Sequence, residues 1–129
     1  MLDFHLPSTP MTPEVLLSPL RGLLTLRGES YPENVLSFYA PLLERIRAVL
    51  EEGKLPCLRV EMHITYYNSA SAKAFHRIFQ LLNTAAEKGC AIKLLWHYDE
   101  EDDMSRDLGK DLREDFQAIE VVDRPLIAV

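Results

Sequence analysis

The residues whose types and spacing point to chemistry lie in the run Tyr67-Asn68-Ser69-Ala70-Ser71-Ala72-Lys73. A strictly alternating segment ends here and an amphipathic one begins, so the run marks a strand-to-helix junction. The first backbone N–H groups of a helix have no partner within it, and the helix dipole is positive there. A phosphate carried by a hydroxyl at such a point is stabilised by those same donors. Asn and Ser are also ordinary helix N-caps, the commoner role for these residue types, and spacing alone leaves both open.

Nucleophilic catalysis by Ser69 or Ser71 is a rival reading. It lacks the usual signatures: there is no G-x-S-x-G elbow, and Lys73 falls four residues after Ser69 and two after Ser71, so S-x-x-K is absent. His63 and His97 are the plausible bases, and strand parity points both to the solvent face. The acidic run Asp99 to Asp103 reads as a solvated helix start, where carboxylates are favoured by the dipole. It lacks the glycine and alternating oxygen ligands of a calcium loop, and it is expected on the same edge as Ser69. His5, His63, His76 and His97 show no metal-ligand spacing. Cys57 and Cys90 read as free thiols, and no glycine-rich phosphate loop occurs. No metal and no cofactor are expected.

The elements that must position the junction follow from periodicity. Cys57 to Tyr67 is the clearest: Leu58, Val60, Met62, Ile64 and Tyr66 on one face, Arg59, Glu61, His63 and Thr65 on the other. Such alternation predicts a strand with one face buried and one wet, hence helices over a single face of the sheet. A helix follows from about Ala70 to Lys88, with Phe75, Ile78, Phe79, Leu82, Ala85 and Ala86 on one stripe and Gly89 as its stop. Glu14 to Leu17 and Gly22 to Arg27 read as a hairpin. Ser30-Tyr31-Pro32-Glu33-Asn34 opens a helix that starts or kinks at Pro41 and ends at Gly53. Cys90 to Tyr98 is the next strand. A last helix carries Met104, Leu108, Leu112 and Phe116 at every fourth position. Ile119 to Val122 is a short final strand, and Pro125 ends regular structure. The expected fold is α/β, a mixed four- to five-stranded sheet in the order β-β-α-β-α-β-α-β. Residues 1–13, with Pro7, Pro10 and Pro13, form an extended arm, and residues 1–129 read as a single domain.

Composition bounds the function classes. The 129 residues carry 14 Lys and Arg against 20 Asp and Glu, a net charge of −6. That balance disfavours nucleic acid and anionic membranes as partners. No apolar run approaches the roughly 18 residues that span a bilayer, so no membrane insertion is expected. Met1-Leu2-Asp3-Phe4-His5 lacks the basic start and apolar stretch of a signal peptide, which makes the cytoplasm the expected location. A third role considered is oligomerisation through the polar sheet face of Arg59, Glu61, His63 and Thr65.

Several segments, in order along nearly the whole chain, resemble the SiaC family of bacterial biofilm-regulation phosphoproteins. They are Thr12-Pro13-Glu14-Val15, Gly28-Glu29-Ser30-Tyr31-Pro32-Glu33-Asn34, Phe38-Tyr39-Ala40-Pro41-Leu42-Leu43, Tyr66-Tyr67-Asn68-Ser69-Ala70-Ser71-Ala72-Lys73 and Trp96-His97-Tyr98-Asp99-Glu100-Glu101-Asp102-Asp103-Met104. The resemblance implies a variant of the STAS fold of anti-sigma-factor antagonists, and a regulatory protein rather than an enzyme. It implies that a serine/threonine kinase phosphorylates the hydroxyl residue after Asn68, which is Ser69, with Ser71 as the competing acceptor. It implies that a metal-dependent phosphatase reverses this, and that the unphosphorylated form binds and activates a diguanylate cyclase. Where family members often read N-T-S-S, this chain has Asn68-Ser69-Ala70-Ser71: Ser for Thr keeps the chemistry, and Ala70 removes one alternative hydroxyl. The expected partner-reading surface is Tyr67, Asn68, Ser69, Ala70, Ser71 and Lys73.

Overall fold

A computed structural model describes residues 2–126; positions 1 and 127–129 of the expected domain lie outside the described residues. One sheet of six strands runs in chain order. The strands are β1 (Phe4–Leu6), β2 (Glu14–Ser18), β3 (Leu23–Ser30), β4 (Cys57–Tyr67), β5 (Ala91–Asp99) and β6 (Glu120–Leu126), with helices α1 (Val35–Glu51), α2 (Ser69–Glu87) and α3 (Asp103–Asp115). β1, β2 and β3 pair antiparallel, and β3 through β6 pair parallel. The expected mixed α/β sheet is present, with one strand more than the four to five anticipated. The extra one is β1: part of the proline-rich arm lies along β2, Phe4 opposite Leu17 and Leu6 opposite Val15.

The helices pack on one face, as the alternation in β4 requires. Leu58, Val60, Met62 and Ile64 join Tyr39, Phe75, Phe79, Leu82, Leu94 and Trp96 in one core. Arg59, Glu61 and His63 point the other way. Leu95 also lies on that second face, yet it is buried, between Glu61 of β4 and Val122 of β6.

Four local expectations are corrected. Tyr66 does not continue the buried face of β4; it is 52% exposed, and Tyr67 is buried instead. The cause is a bulge: Gly28 pairs with Ile64 and Glu29 with Tyr66, leaving Thr65 unpaired and reversing the parity beyond it. Gly28, at φ +128, supplies the backbone shape on β3. Helix α1 does not start at Pro41 but runs through it. It starts at Val35, capped by Asn34, whose side chain accepts the Ser37 N–H at 3.0 Å. Pro41 sits on the exposed side, so the Ser37 carbonyl that it leaves unpaired faces water. Met104 does not join the α3 stripe; it is 62% exposed, and Ser105, Leu108, Gly109 and Leu112 are the buried positions. Finally, β6 runs through Pro125, which pairs with Tyr98. An edge strand tolerates proline because one side needs no donor.

Candidate functional site

Asn68, Ser69 and Ser71 sit at the carboxyl end of β4, a central strand, where parallel sheets display their functional loops. Asn68 is the N-cap of α2, with extended φ −93 and ψ 171, and its side chain accepts the Ser71 N–H at 2.8 Å. Ser69 is therefore the first helical residue. It is exposed, as are Ala70 and Lys73. The capping role belongs to Asn68, and the Ser69 hydroxyl makes no hydrogen bond among the described residues.

Ser71 is fully buried. Its hydroxyl closes a directional chain. Tyr39 donates its phenol to Ser30 Oγ at 2.6 Å, Ser30 Oγ donates to Ser71 Oγ at 2.8 Å, and Ser71 Oγ donates to the Ser30 carbonyl at 2.8 Å. The same carbonyl accepts the Asn68 N–H at 3.2 Å. Burial pushes the Tyr39 phenol far above its ordinary range. Three hydroxyls thus tie the first turn of α2 to the end of β3 and to α1. Ser30 was expected to open a helix; it ends β3 instead, because its hydroxyl is needed inside.

Tyr67 also points inward. Its ring meets Phe75 edge-on, and its hydroxyl donates to the Met104 carbonyl at 2.9 Å. Its pKa is pushed up to about 12, first by burial and then by Asp102, Asp107 and Asp111. The exposed aromatic is Tyr66, set edge-on to Tyr31 at 5.4 Å between centroids. Tyr31 is bonded in turn to the Met11 carbonyl. Met11, Leu36, Tyr66, Met104 and Leu126 are also exposed apolar side chains.

On the α1 side of Ser69 a groove of about 230 Å³ is lined by Val35, Leu36, Ala70, Lys73, Ala74 and Arg77. On the α3 side lies the acidic run. Asp102 is the N-cap of α3, accepting the Ser105 N–H and hydroxyl, and Asp99 accepts the Glu101 N–H at 2.9 Å. These carboxylates act as caps and turn formers, and no metal-binding cluster of His, Cys, Asp or Glu occurs among the described residues.

The structure does not bring the histidines to Ser69. His97 bonds to Glu61 at 3.3 Å on the uncovered sheet face, with the His63 ring 6.2 Å from its own. Burial, then His97 and Arg27, lowers the His63 pKa. Residues that sequence reasoning missed are Ser30 and Tyr39 beneath the junction and Leu36 and Arg77 beside it. The spacing of Ala70, Lys73, Ala74 and Arg77 along one helix face was the available signal.

Comparison with known proteins agrees with this fold. The SiaC family regulatory phosphoprotein model matches residues 6–125. An uncharacterized protein of Pseudomonas aeruginosa (strain UCBPP-PA14) is 33% identical over 115 residues, covering 89% of this chain and 90% of that protein. The crystal structure of apo-SiaC from Pseudomonas aeruginosa superposes with a TM-score of 0.88 at 30% identity, over 96% of this chain and 99% of that one. The crystal structure of the diguanylate cyclase SiaD in complex with its activator SiaC, from the same organism, matches with a TM-score of 0.85 at 29% identity, over 95% of this chain and 100% of that one. With a family match over nearly the whole chain, and with the fold and the exposed-serine junction in place, this chain belongs to the SiaC family of regulatory phosphoproteins.

Proposed function

We propose that this protein is a cytoplasmic, phosphorylation-controlled activator of a diguanylate cyclase, with Ser69 as the phosphoacceptor. A serine/threonine kinase adds the phosphate and a metal-dependent phosphatase removes it. The observation that carries the site is the contrast between two serines two residues apart. Ser69 is exposed with a free hydroxyl, while Ser71 is fully buried with its hydroxyl committed to Ser30. A kinase reaches the first without disturbing the fold and reaches the second only by opening it.

The partner class rests on family membership and on the relative described as an activator in complex with a cyclase. Unphosphorylated protein presents the exposed Ser69 turn and the groove beside it. A phosphate adds about −1.5 to −2 charge, and burying that dianion under a partner opposes binding.

The test measures product formation by the diguanylate cyclase of the same host, titrated with wild type, Ser69→Ala, Ser69→Asp and protein carrying phosphoserine at position 69. Wild type and Ser69→Ala should activate alike, and the other two should need at least about tenfold more protein. Equal activation by all four would sink the switch. Mass-spectrometric mapping of phosphopeptides from the native host checks the acceptor, with Ser71 as the alternative outcome.

A further inference from the structure

The groove beside Ser69 has a chemistry of its own. Its walls are apolar: Val35 and Leu36 from the first turn of α1, Ala70 and Ala74 from α2. Leu36 is 60% exposed. Its rim holds two cations, Lys73 and Arg77, both exposed, and neither forms an ion pair among the described residues. Other cations, such as Lys93 and Lys110, are also unpaired among the described residues; what distinguishes Lys73 and Arg77 is that both border the same apolar groove. The first turn of α2 carries no acidic residue. In a chain of net charge −6, this is a positive, apolar-floored slot.

Ser69 and Lys73 are four residues apart on α2, the spacing at which helical side chains meet, about 5–6 Å between Cβ atoms. Side chains lean toward the helix N-terminus, so Lys73 leans over the turn that Ser69 begins. An anion on the N-terminal member and a lysine on the other is the favourable order for such a pair.

We propose that this groove seats an acidic, apolar segment of the partner, and that phosphate on Ser69 closes it by taking Lys73 into an ion pair within α2. The proposal rests on Ser69 being the acceptor. It turns the switch from general repulsion into competition: phosphate and partner carboxylate require the same ammonium.

The first test needs no partner. Phosphoserine is installed genetically at position 69 of the full chain, and the phosphate is titrated by ³¹P NMR. In otherwise wild-type protein its second pKa should lie below the usual value of about 6, and Lys73→Gln should raise it by roughly half a unit or more. Superimposable titrations of the two proteins overturn the ion pair. The second test is a double-mutant cycle on cyclase activation with Ser69→Asp and Lys73→Gln. Each single change should weaken activation about tenfold, and the pair should be little worse than either alone. Leu36→Glu should also weaken it, while Lys110→Glu on α3 should not. Full activation by Lys73→Gln and Leu36→Glu overturns the groove. A cyclase that ignores wild type refutes the output assigned above, and the ³¹P titration still decides the pairing.

Discussion

At the scale of single residues, the junction divides its labour between two serines. Ser71 is structural. Ser71→Ala strands the Ser30 hydroxyl's proton in the core and removes one of two donors from the Ser30 carbonyl. Leaving a buried polar group unmatched costs about 1–3 kcal/mol, so urea unfolding of Ser71→Ala should show a loss in that range. Ser69→Ala, at an exposed position with no hydrogen bond, should stay within about 0.5 kcal/mol of wild type. Equal losses in both would contradict the division. Titration adds a second residue-scale expectation. His63 has a lowered pKa in the folded state, so below the ordinary value of 6.5 the unfolded chain binds the proton more readily. Stability should fall as pH drops from 6.5 through the folded pKa, and His63→Gln should flatten that slope in thermal melts. Tyr67 acts in the opposite direction. Its folded pKa of about 12 lies above the unfolded 10, so stability should decline as pH rises from 10 toward 12, less steeply in Tyr67→Phe.

At the scale of elements, α3 is held to the sheet by few but specific contacts. Trp96 Nε1 donates to the Ser105 carbonyl at 2.8 Å and Tyr67 donates to the Met104 carbonyl. Gly109 lets the helix lie against the indole: an added Cβ would stand 2.6 Å from Trp96 Cδ1. Gly109→Ala gains about 1 kcal/mol of helix propensity, yet the fully buried indole has nowhere to retreat. A net loss of about 1–3 kcal/mol is expected, with altered tryptophan fluorescence in the folded state. An unchanged melting curve would show that α3 slides freely. The bulge at Thr65 is the other element-scale device. By reversing parity it buries Tyr67 and exposes Tyr66, so the strand leaves the sheet with its capping Asn68 under Ser30.

At the scale of the whole molecule, the sheet's edges and ends have different duties. The N-terminal arm supplies edge strand β1, with Phe4 under the Arg45 guanidinium at 5.6 Å and Asp3 facing Arg21 at 3.6 Å. Removing residues 1–8 should expose β2 as a new edge. The expected result is a loss of about 1–3 kcal/mol in urea unfolding from the apolar contacts of Phe4 and Leu6, with more self-association on sizing. The carboxyl ends of the parallel strands carry the Ser69 junction, the groove beside it and the acidic run, so the surfaces assigned to partners lie at one end of the sheet.

The alternation of β4 and the stripe of α2 made the one-sided sheet and the strand-to-helix junction legible, because burial on one face imposes periods of 2 and 3.6 on the residues themselves. The capping chemistry of Asn68 was legible for the same reason: it is local, within three residues. The motifs also carried the family, which the comparisons then showed. What periodicity did not reveal was non-local. The bulge depends on how β3 pairs with β4, so Tyr66 and Tyr67 exchanged faces. Helix α1 runs through Pro41 on a side that faces water. Ser30 reaches Ser71 across 41 positions of chain, Tyr39 is linked to it only through Ser30, and Leu36 and Ala70 line one groove only when α1 lies beside α2. Local pattern determined the elements and the candidate hydroxyls; the pairing of distant segments decided which serine is open and what surrounds it, because burial is a property of neighbours that the chain brings together only on folding.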